Sequence, residues 1–181
     1  MSRELVLLVE AADFAARKHV AQRRKSEAAE PYVNHLAEVA AMLAEATDGE
    51  DPVLVMGGLL HDTIEDTATT YQELAERFGE KVASLVQEVS DDKSLPKAER
   101  KRLQIEETPS KSRRARLLKI ADKTSNVRAL IQSPPKDWSI ERLRDYALWA
   151  EAVVKSCRGL NPKLEEGFDE ALRAAKQRFG A

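Results

Sequence analysis

Residues able to do chemistry crowd into one short stretch, LLHDTIEDT, which holds His61, Asp62, Glu65 and Asp66. They follow directly on the apolar run VLVMGGLL, and charged side chains are rarely buried unless they are paired or hold a metal. On a helix, positions four apart share a face, so His61 lies with Glu65 and Asp62 with Asp66. Neighbours stand about 100° apart at 3.6 residues per turn, so all four can flank one cleft. Imidazole beside carboxylate suits a divalent first-row ion such as manganese, iron or zinc, and the lack of thiolate or thioether disfavours copper(I). Alone, an HD dipeptide is more often a solvated helix end beside a satisfied core histidine. Two other positions shift that balance. His35 stands on an otherwise apolar helical face, next to Leu36 and one turn before Val39. Asp122 stands in LLKIADKTSNVRAL, where Leu118, Ile120 and Ala121 predict burial, and a buried aspartate needs a partner or an ion.

Three basic sets could serve the same cleft: Arg23, Arg24 and Lys25; Lys97, Arg100, Lys101 and Arg102; and Arg142 with Arg144. Each by itself reads as a solvated face. Gathered around metal and carboxylates they are what a polyphosphate ester needs, because arginine forks phosphate bidentately and lysine supplies a mobile point charge. Trp138 and Trp149 read as packing aromatics, and Tyr32 as a candidate core residue.

The elements that must position these groups all carry helical periodicity, and no apolar run alternates over a strand's length. An amphipathic N-terminal helix shows Leu5, Leu8, Val9, Ala12 and Ala16 near helical spacing. A second begins near Tyr32 and stops at Asp48-Gly49. Asp51-Pro52 caps a third, predicted from Val53 to about Glu65. Thr69 or Thr70, with Glu73, opens a short helix that Gly79 ends. Further helices cover 80–89, the charged stretch 97–107 and 113–130, where Ser133-Pro134-Pro135 terminates the pattern. Ser139 caps the helix carrying Tyr146 and Trp149, and Asn161-Pro162 starts the last one, out to about Phe179. The expected fold is all-α, a single domain over 1–181.

Composition narrows the function classes. The chain has 181 residues, 43% hydrophobic and 33% charged, with a formal net charge of -2. That balance gives no overall field for nucleic acid or a membrane surface. No run approaches the roughly 20 apolar residues that span a bilayer, and the N-terminus meets charges too early for a secretory signal. A single cysteine, Cys157, excludes an internal disulfide and a thiolate zinc site. The expected compartment is the cytoplasm; monomer and dimer stay equally open.

PYVNH, LLHDTIEDT and KIADKTSNVRAL, in this order, resemble the signature of the HD-domain phosphohydrolases. More narrowly they are similar to the (p)ppGpp hydrolase domain of the RelA/SpoT group and its small stand-alone Mesh1-like members. The likeness extends through RRKSEAAEPYVNH, EVSDDKSLPKAERKRLQ and WSIERLRDYALWA, nearly the whole chain. It implies His35, His61, Asp62 and Asp122 as metal ligands, normally for manganese, with Glu65 and Asp66 as the catalytic pair. It implies Arg24, Lys25, Lys97 and Arg142 as phosphate and base contacts, with Asn126 and Tyr146 facing the same nucleotide. One departure stands out. Between Asp122 and Asn126 the chain reads KTS, where the family usually has a large apolar or aromatic residue, so Thr124 and Ser125 are expected to reshape the nucleoside pocket.

The activity these expectations support is metal-dependent removal of the 3′-pyrophosphate of ppGpp or pppGpp. A neighbouring reading is phosphate removal from another ribose-phosphorylated nucleotide such as NADPH. Outside hydrolysis stand a metal-dependent nucleotide sensor, against which the spare carboxylates Glu65 and Asp66 argue, and a helical interaction protein with merely capping acids.

Overall fold

The structure, a computed structural model, describes residues 3–180; the ends of the predicted 1–181 domain and the first two residues of its N-terminal segment lie outside them. Among the described residues the regular elements are helical: α1 (Arg3–Lys18), α2 (Val33–Ala46), α3 (Pro52–Leu60), α4 (Thr63–Asp66), α5 (Tyr71–Phe78), α6 (Glu80–Val89), α7 (Lys97–Glu107), α8 (Arg113–Gln132), α9 (Ile140–Lys155) and α10 (Pro162–Phe179). A 3-10 turn over Thr108–Ser110 separates α7 from α8. The all-α expectation is met, and none of these helices is long and apolar enough to cross a membrane.

Helix starts follow the side chains that can cap them. The oxygens of Asp51, Thr70, Ser139 and Asn161 accept from the backbone N–H of Leu54, Glu73, Arg142 and Leu164, satisfying donors the helix itself leaves unpaired. Gly79, at φ 89°, ends α5 in a conformation that costs side-chain-bearing residues dearly.

Two predictions need correction. The apolar face of α1 is not Leu5 and Val9, which are exposed, but Ala11, Phe14 and Ala15, with Leu7 and Leu8 packed alongside. Phe14 is the bulkiest apolar group of that helix and sets the face by meeting Phe78 edge-on, ring centroids 5.5 Å apart. The helix expected over 53–65 is two pieces. Asp62 adopts φ -98°, ψ 0°, and the Thr63 hydroxyl donates to the Leu60 carbonyl at 2.6 Å, a bond the continuing ladder would otherwise make.

α8 is the axis of the molecule. Every residue from Leu117 to Ser125 is buried, so this helix is enclosed on all sides by α2, α3, α6, α9 and α10. One apolar cluster gathers Leu117, Leu118, Ile120 and Val127 with Leu143, Phe168 and Leu172. A second gathers Phe14, Leu36, Met56, Leu60, Leu74 and Val86. α2 and α3 contribute to both clusters, and their mutual contact carries His35 and His61 towards each other. Gly58 makes that contact tight: a Cβ there would sit 3.0 Å from the Ala40 Cα and 2.9 Å from Leu43 Cδ1.

Gly58→Ala must therefore push a backbone, not merely a flexible side chain. It is expected to lower the urea unfolding free energy by about 1–3 kcal/mol, the usual cost of overpacking. An unchanged urea midpoint would show that α2 and α3 do not depend on this approach.

Candidate active site

Three elements converge: α2 brings His35, the α3–α4 junction brings His61 and Asp62, and α8 brings Asp122. One ligand atom each from His35, His61 and Asp62 lies within 4.8 Å of the other two. Asp62 Oδ2 is 3.1 Å from His61 Nε2 and 3.8 Å from His35 Nε2. Asp122 Oδ1 stands 3.4 Å from His35 Nε2 and 3.9 Å from His61 Nε2, outside that tightest trio but against both rings. The junction break is what allows this arrangement, since it turns His61 and Asp62 inward while Glu65 and Asp66 face residues 91–93.

The donor set fits a divalent cation. Both Nε2 atoms are buried without a hydrogen-bond partner, an expensive condition unless they serve as ligands. The His61 Nδ1–H donates to the Gly58 carbonyl at 2.9 Å, which leaves the lone pair on Nε2. Burial alone would lower the pKa of His61, but the Asp62 carboxylate outweighs it and raises it to about 9. Burial opposes ionisation of Asp62 and Asp122 as well, yet His61 holds the first low and the Lys123 ammonium, 2.7 Å away, holds the second well below the usual range. Without an ion the cluster is neutralised by its own protons and Lys123; with one, the proton on His61 must leave.

Above this cluster opens a cavity of about 410 Å³ with an acidic floor and a cationic wall, within the size range of small-molecule sites. Asp62, Glu65, Asp66 and Asp122 line the floor; Arg24, Lys25, Lys97, Arg100, Lys101 and Lys123 are among the wall. α7 has no buried residue, and its stripe of Lys97, Arg100, Lys101 and Gln104 at helical spacing faces this space. Burial lowers the pKa of Lys97, and crowding by Arg142, Lys25 and Arg100 adds to it. Lys101 is lowered likewise, by burial and then by Lys97 and Lys123. Cations held together with too little counter-charge favour an anionic ligand.

The carboxylate pair is differentiated. Glu65 accepts from the Asp91 N–H at 3.0 Å, with Lys93 at 3.6 Å and Arg100 at 3.8 Å from its other oxygen. Burial is the main influence and raises its pKa. Asp66 is tied on both oxygens, by Lys93 at 2.6 Å and by the Gln22 amide at 2.8 Å.

Of the remaining sequence candidates, Arg24, Lys25, Lys97, Asn126 and Tyr146 all line the cavity. Asn126 donates to Asp122 Oδ1 at 2.6 Å and accepts from Arg24 at 3.3 Å. Arg142 does not line it; its guanidinium lies 4.2 Å over the Trp138 ring, which does. Arg102 is engaged outside by Glu99 and Glu106. Three aromatic readings change. Trp138 and Trp149 line the cavity: Trp138, just before α9, and Trp149, on it, flank Tyr146 in a run of ring contacts at 5.9 Å and 5.2 Å. Tyr32 packs against the second apolar cluster and lines the cavity as well: its hydroxyl donates to Asp62 at 2.6 Å, and burial keeps it protonated. The expectation for KTS also fails. Thr124 bonds back to the Ile120 carbonyl and Ser125 bonds Glu38 and His35, so neither borders the cavity.

Sequence reasoning missed Gln22, Lys93 and Lys123, and named Lys101 only as one of a basic set. Lys123 had a signal, since it directly follows Asp122 in a stretch predicted to be buried. Gln22 and Lys93 had none, because they meet Asp66 only across 44 and 27 residues of chain.

With this geometry in place, the chain can be compared with known proteins. Residues 11–150 match the HD domain family. Over 173 residues the chain is 50% identical to the human guanosine-3′,5′-bis(diphosphate) 3′-pyrophosphohydrolase MESH1, covering 96% of this chain and 97% of that one. The Xenopus tropicalis MESH1 is 47% identical over 169 residues, with 93% and 94% covered. A solved structure of a metazoan orthologue of SpoT that hydrolyzes ppGpp superposes with a TM-score of 0.90 at 43% identity, covering 98% of this chain and 97% of the other. The HD domain implies a divalent metal, for which the histidine–aspartate cluster is the candidate site. This chain belongs to the HD-domain family and, within it, to the MESH1 branch.

Proposed function

We propose that the protein hydrolyses the 3′-pyrophosphate of ppGpp and pppGpp, leaving GDP or GTP, at a manganese ion held by His35, His61, Asp62 and Asp122. The observation that carries this reading is the pair of buried, unpartnered Nε2 atoms facing two aspartates at the floor of a cation-walled cavity. The relatives named for this activity match the chain over nearly its full length. When bound, such a cation makes water easier to deprotonate and offsets charge on phosphate oxygens. A lone buried cysteine fits a reducing cytoplasm.

The chain's own residues divide the remaining work. Arg24, Lys25 and Lys97 take the phosphates, with Arg142 holding the Trp138 face beside them. Asn126 links Arg24 to Asp122 and so ties phosphate binding to the metal cluster. Glu65 is the general base: one of its oxygens lacks a close partner and burial favours its protonated form. It takes a proton from the attacking water as oxygen bonds to the phosphorus on O3′. The P–O3′ bond breaks, and a proton returns to the 3′ oxygen. Asp66, anchored by Gln22, holds Lys93 beside Glu65.

Three results are expected. Metal-stripped protein restored with manganese should release pyrophosphate from ppGpp, and metal-free protein should not. Phosphate from NADPH alone would move the substrate while keeping the site, and silence on both would sink the hydrolase reading. Asp122→Asn, which keeps the side chain's shape, should leave the purified protein well short of stoichiometric manganese by elemental analysis. A full complement would remove Asp122 from the ligand set.

The third concerns pH. Glu65 works ionised and its pKa is raised, so kcat/KM should fall with acidification at a pH above the ordinary glutamate value of about 4.3. Glu65→Gln should lose most activity, by roughly a hundredfold or more, together with that acidic limb. A variant that kept both would reassign the base.

A further inference from the structure

Helix α8 grips both nitrogens of the His35 ring. Asp122 reaches towards Nε2, and Ser125, one turn on, places its Oγ 2.8 Å from Nδ1. The same hydroxyl lies 2.6 Å from Glu38 Oε2, which α2 presents one turn after His35. Arg128 stands 3.5 Å from the other Glu38 oxygen.

A hydroxyl has one proton, and two neighbours compete for it. A carboxylate can only accept, so the Ser125 proton goes to Glu38. Ser125 Oγ is then left to accept, and the His35 ring must carry its proton on Nδ1. In the neutral ring, the form that can ligate a cation, that proton is the only one. Its Nε2 is thereby bare, which agrees with its burial without a hydrogen-bond partner. The Nδ1–H of His61 is held instead by a backbone carbonyl, which side-chain replacement leaves in place. His35 relies on side chains alone.

We propose that Ser125, oriented by Glu38, is a positioning residue that locks the His35 tautomer and so presents the Nε2 lone pair to the divalent cation. This rests on the metal site proposed above. Without the Ser125 oxygen nothing on the far side of the ring claims Nδ1–H. The proton can then move to Nε2 and be donated to Asp122, occupying the lone pair the cation needs. Partners behind a ligating histidine typically matter by about 10- to 100-fold in metal affinity.

The test uses the full-length protein with labelled histidine. Long-range proton–nitrogen NMR on the metal-free wild type should show His35 protonated at Nδ1, and Ser125→Ala should shift the ring wholly or partly to the Nε2–H form. Manganese affinity, followed by the paramagnetic signal of free ion, should fall about 10- to 100-fold. Glu38→Ala keeps the serine and alters only a half-exposed side chain, and therefore does not threaten the fold. It should give a mixed tautomer and a smaller loss, which decides the matter if Ser125→Ala does not fold. Variants that keep the Nδ1–H pattern and bind manganese within twofold of wild type would overturn the proposal alone. Wild type that binds no manganese would overturn it together with the metal site beneath it.

Discussion

Two carboxylates and two imidazoles meet at 3.1–3.9 Å, with both rings buried. Such a cluster is costly to bury. Asp62 and Asp122 repel each other, and each ionised group forfeits its hydration. It is tolerable because cationic partners are built in, Lys123 against Asp122 and a chargeable His61 against Asp62, and because a divalent ion can replace that temporary balance. Much of the surrounding structure follows from holding these four side chains still.

The tight packing of α2 on α3 is one such consequence. Gly58 lets the backbones approach, and its carbonyl also orients the His61 ring. A single residue thus sets both the distance between the histidines and the tautomer of one of them. The break after His61 is another. An unbroken helix would distribute His61, Asp62, Glu65 and Asp66 around one cylinder, whereas the bend at Asp62 separates ligands facing inward from carboxylates facing the cavity. The central helix completes the arrangement, with Asp122, Ser125 and Asn126 on one stripe serving ion, ring and phosphate side in turn.

Charge is arranged with the same economy. The net charge of -2 hides a cavity that separates acids below from cations around the wall. The positive stripe of α7 has no apolar face to bury, and so owes its position to contacts at its ends and to α9. That leaves its lysines half-desolvated and mutually repelling, ready for a polyanion.

From the residues alone, helical periodicity and capping side chains were enough for the all-α class and most helix starts, because both depend on neighbours within one or two turns. The cluster itself was also legible: a histidine or aspartate inside an apolar stretch announces itself by the cost of burying it. Contacts between distant segments were not. Gln22 and Lys93 on Asp66, Tyr32 on Asp62, and the tryptophans at the cavity depend on how helices cross, and nothing local encodes a crossing. Thr124 and Ser125 show the limit best. Their types suggested a changed pocket, but the rotation of α8 inside its ring of helices points them away from it and gives Ser125 a histidine to hold.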